Sequence, residues 1–326
     1  MMKKFVIALS IVTIVITGMI GTSNAAEMLK FGHVSESSHP LHTWAVWAAE
    51  QVEERTEGRY KIEVYPASSL GKQADLDEGL TLGTVDFTYP SVAFAANGYP
   101  PIGIAAAPYM FRDLEHWKKF GKSEIFQTLA EDFHKKTGNV ILANPFYGYR
   151  HVTSNKPIAT PEAMKGLKIR VPNAPLYKMF PDTVDANSTP IAFAEVYLAL
   201  QQGVVDAQEN PLAVIKAKKF YEVQTHINLT GHMLDSIFTT MSGSAWGRLS
   251  DADQTIFKQV FEEAADGVTQ DVMALENALA EELDSMPETT VLTVDRTLFR
   301  NATLKAHLGR GVSWSKEIYE QVQALK

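Results

Sequence analysis

The chain has 326 residues, a formal charge of −8 and no cysteine, and 45% of its residues are hydrophobic. Without cysteine it can form no disulfide, thiolate metal site, thiol nucleophile or lipid-modified cysteine anchor. An acidic chain without basic runs is a poor partner for nucleic acid or an anionic membrane, and a chain this long fills more than one core, so two domains are expected.

Residues 1–25 read as a secretory signal peptide. Lys3 and Lys4 form its basic start, Phe5 to Ile20 its apolar stretch, and Ser23-Asn24-Ala25 supply small residues for cleavage. The product is expected to begin at Ala26 and to work in the periplasm, or outside the cell. The apolar run is short of a comfortable membrane span and no later stretch approaches one. Losing Lys3 and Lys4 leaves the rest more acidic still, so binding an anion would require positive charge concentrated at one place.

Met28 to His33 reads as a first strand and Lys61 to Tyr65 as a second, with Leu41 to Arg55 carrying Trp44, Trp47, Ala48 and Val52 at helical spacing between them. This is a βαβ unit, which makes its sheet at least partly parallel. Ser35 to His42 is the loop at the ligand end of the first strand, where His39 and Trp44 could line a cleft. A helix this apolar must also bury something, and for Trp44 the core is the favoured place. A further helix begins near Gln73 and runs through Leu80, followed by a strand from Val85 to Tyr89. Gln73, Tyr89 and Ser91 become candidate ligand contacts by the same strand-end rule.

Ser123 to Thr137 is an amphipathic helix, and Val140 to Ala143 a buried strand running toward Tyr149, where the chain is expected to cross into its second domain. Two arginines follow on β-like runs, Arg150 after Tyr149 and Arg170 between Ile169 and Val171. On a strand, Ile169 and Val171 share one face and Arg170 points to the other. A guanidinium is planar, always charged and weakly hydrated, which suits a two-pronged grip on a carboxylate in a partly dry cleft. Taken singly, each arginine is more often a solvated surface charge. Thr160-Pro161-Glu162 starts a short helix that leads into the Arg170 strand.

Ile191 to Pro211 has the order of an αβ unit: a helix with Val196, Tyr197 and Leu200, then Gly203, a short strand and the polar end Gln208-Glu209-Asn210-Pro211. Asn210 stands where it could donate to an acid oxygen. Asn210-Pro211 is then expected to open a long helix through about Tyr221. Phe238 to Ser242 is a strand, and Ser250 caps a helix from Asp251 through about Leu283, long enough at ~1.5 Å per residue to span two domains. A helix from Leu298 to Lys326 is expected to close the chain. The sequence contains none of the His-Glu-X-X-His, Gly-X-Ser-X-Gly, Gly-X-Gly-X-X-Gly or phosphate-loop patterns, and its nine histidines are scattered. No enzyme is therefore expected.

Leu167-Lys168-Ile169-Arg170-Val171-Pro172-Asn173, Phe193-Ala194-Glu195-Val196-Tyr197 and Asp206-Ala207-Gln208-Glu209-Asn210-Pro211 together resemble the extracytoplasmic solute-binding proteins of tripartite ATP-independent periplasmic (TRAP) transporters, of the DctP type. The resemblance runs over nearly the whole chain after the signal. It implies an α/β, two-lobed periplasmic-binding-protein fold with a mixed sheet in each lobe, a long interdomain helix and a cleft between the lobes. The expected limits are residues 26–147 with about 236–275 for the first domain, and 148–235 with about 276–326 for the second. The resemblance also implies a monomer without cofactor that captures a small organic acid and delivers it to the membrane permease, touching the inner-membrane complex only transiently. Arg170 is then the clamp on the carboxylate, Arg150 a second cationic contact, Asn210 the group that orients the acid and Phe193 its border, with Asn173 ending the Arg170 motif. Sialate-binding members carry an additional arginine and a glutamate where this chain has Ala74 and Ser91, which argues for another acid. C4-dicarboxylates, hydroxy, keto, sugar or aromatic acids and sulfonates stay open, as do a zwitterion binder and a sensory or adaptor protein for the same ligands.

Overall fold

The computed structural model describes residues 25–309 and 311–325; the segment read as a signal peptide, apart from Ala25, lies outside them. Two mixed sheets form the two lobes. The first is built from β1 (Glu27–Gly32), β2 (Tyr60–Tyr65), β3 (Phe87–Thr88) and β4 (Val140–Ala143). The second takes β5 (Phe146–Ser154), β6 (Lys168–Val171), β7 (Asn187–Pro190), β8 (Ala207–Pro211) and β9 (His226–Ser236). The chain then returns to the first sheet with β10 (Thr239–Met241) and adds β11 (Thr290–Leu292) to the second. Strand order is β2-β1-β3-β10-β4 in one lobe and β11-β9-β5-β8-β6-β7 in the other.

The helix Pro40–Arg55 joins β1 to β2, and the two strands pair in parallel, as a right-handed βαβ crossover requires. β10 runs antiparallel to both neighbours because it enters from the other lobe. The two crossings lie side by side: the Ile237 amide donates to the Pro145 carbonyl at 3.2 Å. Gly148 sits at this bend with φ +122°, and a Cβ there would come within 2.7 Å of Pro211. Only glycine tolerates both that backbone and that approach.

The helix Asp251–Asp284 ties the lobes together over 34 residues, capped by Ser250, whose hydroxyl accepts from the Asp253 amide. Its first half buries Phe257 and Phe261 against Phe87 of β3. Its second half reaches the other lobe, where Glu276 accepts from the Tyr149 amide at 3.2 Å and Lys216 pairs with Glu282 at 2.7 Å.

Three stretches differ from the sequence-based expectation. Asn210 and Pro211 end β8, with Pro211 as N-cap of a short helix, Leu212–Ala217, and Lys219 at φ +55° stops the helix well before Tyr221. Only Phe87 and Thr88 of the Val85–Tyr89 run pair as strand. The closing helix is broken into Arg296–Thr303, a 3₁₀ turn at Leu304–Leu308 and Lys316–Ala324. This last helix is fastened near Met110–Trp117: His116 Nε2 donates to the Val322 carbonyl at 2.8 Å and Arg112 Nη1 to that of Gln323 at 3.0 Å.

Candidate ligand site

The C-terminal ends of β6 and β8, with the N-terminal half of the antiparallel β5, meet the ends of β1 and β3 around a cavity of about 280 Å³. From the second lobe, β5 contributes Arg150, β6 Arg170 and β8 Asn210, while the loop after β7 brings Phe193. From the first lobe come Gln73, Tyr89 and Ser91, and Asn173 follows β6 at the rim. Eight of the ten residues singled out in the sequence therefore meet in one place.

His39 and Trp44 do not line this cavity. His39 is buried as N-cap of the Pro40–Arg55 helix: its Nδ1 accepts from the Leu41 amide at 3.2 Å, and its ring packs on Tyr147, which is the actual wall. Trp44 turns outward onto the long helix, with its Nε1 donating to Asp271 at 2.7 Å and its ring seated over Gly267. It packs, partly buried, against the edge of the core, as the apolar helix led one to expect, and its polar partner lies on the element that joins the lobes.

Both arginines are 2% exposed, yet they are held in opposite ways. Arg150 is held by protein carboxylates: its Nε donates to Glu209, Nη1 to Asp235 at 2.7 Å, and Nη2 to Glu209 Oε1 at 2.8 Å and to Asn210 Oδ1 at 3.1 Å. Burial pulls its pKa down, but Glu209, Tyr177 and Asp235 outweigh it and hold the guanidinium well above its ordinary value. Burial likewise opposes ionisation of Glu209, and Arg150 overcomes it, so that carboxyl sits below the usual range; for Asp235 burial wins and the pKa rises.

Arg170 has no carboxylate partner among the described residues. Its Nε and Nη2 donate to the Ile191 carbonyl at 2.9 and 2.7 Å, and its buried Nη1 has no partner. Burial brings its pKa down to about 10, which still leaves it charged at neutral pH. A charged donor kept from water without a partner is costly, so the position calls for an anion or another acceptor to complete it. The Phe193 ring lies 6.0 Å from the guanidinium carbon and shields that side.

Two tyrosines went unnoticed in the sequence. Tyr177, in the 3₁₀ turn Pro175–Lys178, stacks its ring 4.9 Å from Arg150, and Tyr147 lines the wall at the crossing into β5. Burial raises both phenols, Tyr147 to about 12, so both stay protonated as hydrogen-bond donors. The signal for Tyr177 was its place just beyond the end of the Arg170 strand. Beneath the site, His232 Nε2 lies 3.2 Å from Glu209 and its ring stacks 4.0 Å from Phe180, with burial holding its pKa low. Asn210 gives one Nδ2 hydrogen to Gln208 at 2.6 Å, and the residue lines the cavity. Among the described residues no cluster of His, Asp and Glu has the geometry to hold a metal ion.

The family described as bacterial extracellular solute-binding protein, family 7 (DctP) matches residues 31–308. A solute-binding protein of Roseobacter denitrificans is 36% identical over 304 residues, covering 92% of this chain and 91% of its own length. Its crystal structure, with bound L-galactonate, superposes with a TM-score of 0.86, covering 93% of this chain and 99% of that one. A TRAP periplasmic solute-binding protein of Polaromonas bound to D-erythronate gives a TM-score of 0.87 at 32% identity, over 92% of this chain and 99% of that one. The sialic acid-binding periplasmic protein SiaP of Vibrio cholerae is 35% identical over 256 residues, 78% of this chain and 80% of its own length.

Proposed function

Because the chain belongs to family 7 of the bacterial extracellular solute-binding proteins, the periplasmic, non-catalytic binding components of TRAP transporters, we propose that its cavity captures a small organic acid through Arg170 and that the closed, loaded form delivers it to a TRAP membrane permease. The observation that carries this reading is the buried Arg170 Nη1 with no partner. A carboxylate set there would take Nη1 and, beside it, the side-chain amide of Asn210, in a site where low dielectric strengthens the pair.

Arg150 plays a different part from the one its charge suggests. Glu209 and Asp235 already neutralise it, so it orients Asn210 and Tyr177 and leaves the net attraction to Arg170. That favours one carboxylate at this end of the ligand. The acids bound by the Roseobacter and Polaromonas proteins, L-galactonate and D-erythronate, are hydroxylated monocarboxylates, and the same class suits this cavity. Ala74 and Ser91 remove the arginine and glutamate that the resemblance implies for sialate.

Closure follows from the same contacts, since a ligand touching both lobes stabilises only the form that brings them together. A thermal-shift screen against sugar acids, hydroxy acids, dicarboxylates and sulfonates tests the reading. At about 100 times its dissociation constant the cognate acid adds ~2.7 kcal/mol, a shift of several degrees at roughly 2–4 °C per kcal/mol for a chain of this size. A panel in which only cations or neutral sugars shift the melt would reject it.

A further inference from the structure

The helix Gln73–Leu82 buries Leu76, Gly79 and Leu80 in the first lobe. Ala74, Asp77, Glu78 and Thr81 fall at i, i+3, i+4 and i+7 and so share one stripe. All four line a second cavity, of about 340 Å³. Its remaining walls include Phe94, Phe133, Asn139 and Thr240, all from the first lobe, and Asn173 from the other. Ala74, Phe94 and Asn173 line both this chamber and the arginine chamber, so the two adjoin.

The polarity of the second chamber is the reverse of the first. It is lined by Asp77 and Glu78 and by no lysine, arginine or histidine. Asp77 accepts from Gln73 Nε2 at 2.8 Å and has no cationic partner among the described residues, and burial brings its carboxyl up to about 7. Thr240 is fully buried, and its Oγ1 has no hydrogen-bond partner. A partly buried acceptor and a buried hydroxyl without a partner facing one space both ask for a guest with hydroxyl groups. Gln73 lines the arginine chamber and holds Asp77 from behind, joining the two ends mechanically.

Resting on the carboxylate reading above, we propose that this chamber is a tail subsite which takes the polyhydroxylated end of a monocarboxylic acid. Asp77 accepts from a tail hydroxyl and Thr240 Oγ1 donates to or accepts from another, so that the pair selects against a second carboxylate. A diacid would place its far carboxylate in a chamber lined by no lysine, arginine or histidine, where a hydroxyl finds a partner and a charge does not.

Isothermal titration of the wild type, Asp77→Asn and Thr240→Val with L-galactonate, its diacid galactarate, the four-carbon D-erythronate and 6-aminohexanoate tests this. The wild type is expected to bind galactonate at least about tenfold tighter than galactarate. Asp77→Asn, which keeps an acceptor oxygen but removes the charge, is expected to weaken galactonate about tenfold through the lost charge assistance to one hydrogen bond, to leave erythronate unchanged and to narrow the gap to galactarate. Thr240→Val is expected to weaken galactonate by a smaller factor and also to spare erythronate. Equal loss for the long and short acids, no loss for either, or tighter binding of 6-aminohexanoate than of galactonate would overturn the subsite. Erythronate binding that survives Arg170→Ala would instead overturn the carboxylate clamp, and a wild type that binds neither sugar acid would overturn both.

Discussion

Arg170 and Arg150 show how two identical side chains on neighbouring strands come to do different things. Arg150 is a structural cation whose charge Glu209 and Asp235 take up, and Arg170 keeps a donor in reserve. Replacing Glu209 with Gln should therefore act on stability first: it takes one of the two carboxylates from a buried guanidinium and leaves Asp235 as its only counter-charge, at a cost of about 1.5–3 kcal/mol in urea denaturation. An unchanged midpoint would show that the pair is dispensable. His33 and His39 make a second prediction at this scale. Burial holds them neutral, with pKa values lowered to about 3 and about 4, whereas the unfolded chain titrates near 6.5. The unfolded state thus binds more protons below pH 6.5, so stability is full above that value and falls as acid is added, down to the folded pKa values. At pH 5 His39 alone accounts for roughly 2 kcal/mol of that loss. His39→Asn keeps an N-cap oxygen and should flatten the fall in melting temperature between pH 7 and pH 5; an unaltered slope would exclude His39 as its source. The sequence revealed Arg170 because alternation with Ile169 and Val171 sets its direction. It could not reveal the carboxylates under Arg150, since Asp235 comes from a strand far along the chain, nor Tyr147, since a cavity aromatic and a core aromatic look alike in sequence.

At the scale of elements, strands and long helices were readable wherever periodicity and a cap agreed, as at Ser250 and along Asp251–Asp284. The misreadings fell where pairing overrode local signals. Pro211 carries a helix-start signal, but Arg150 of β5 pairs opposite it, so the helix begins one residue later, and Lys219 ends it early. Trp44 packs on the core edge as its helix predicted, but its place away from the cleft was hidden because its neighbour, Gly267, lies on the distant long helix. A Cβ on Gly267 would stand 2.3 Å from the indole, so Gly267→Ala should push Trp44 off the helix and cost about 1–3 kcal/mol. Calorimetric melting of the variant, with tryptophan fluorescence to report the displaced ring, checks this, and native values for both would refute the packing.

Across the whole molecule, the lobes are linked by adjacent crossings, one long helix and a contact over the cleft, where Lys218 of the second lobe pairs with Glu36 of the first at 2.8 Å. A partly exposed ion pair is worth less than about 1 kcal/mol, so Lys218→Ala should weaken ligand affinity only a few-fold, and mainly by speeding dissociation, as a latch on the closed form would. A change confined to the association rate would instead make Lys218 a steering charge.

The central claim is that Arg170 holds the cargo's carboxylate. Isothermal titration of the acid found by thermal shift, against wild type and Arg170→Ala with matched circular dichroism, tests it most directly. A loss of about 2–5 kcal/mol in binding free energy is the result predicted here, and affinity equal to that of the wild type would contradict it.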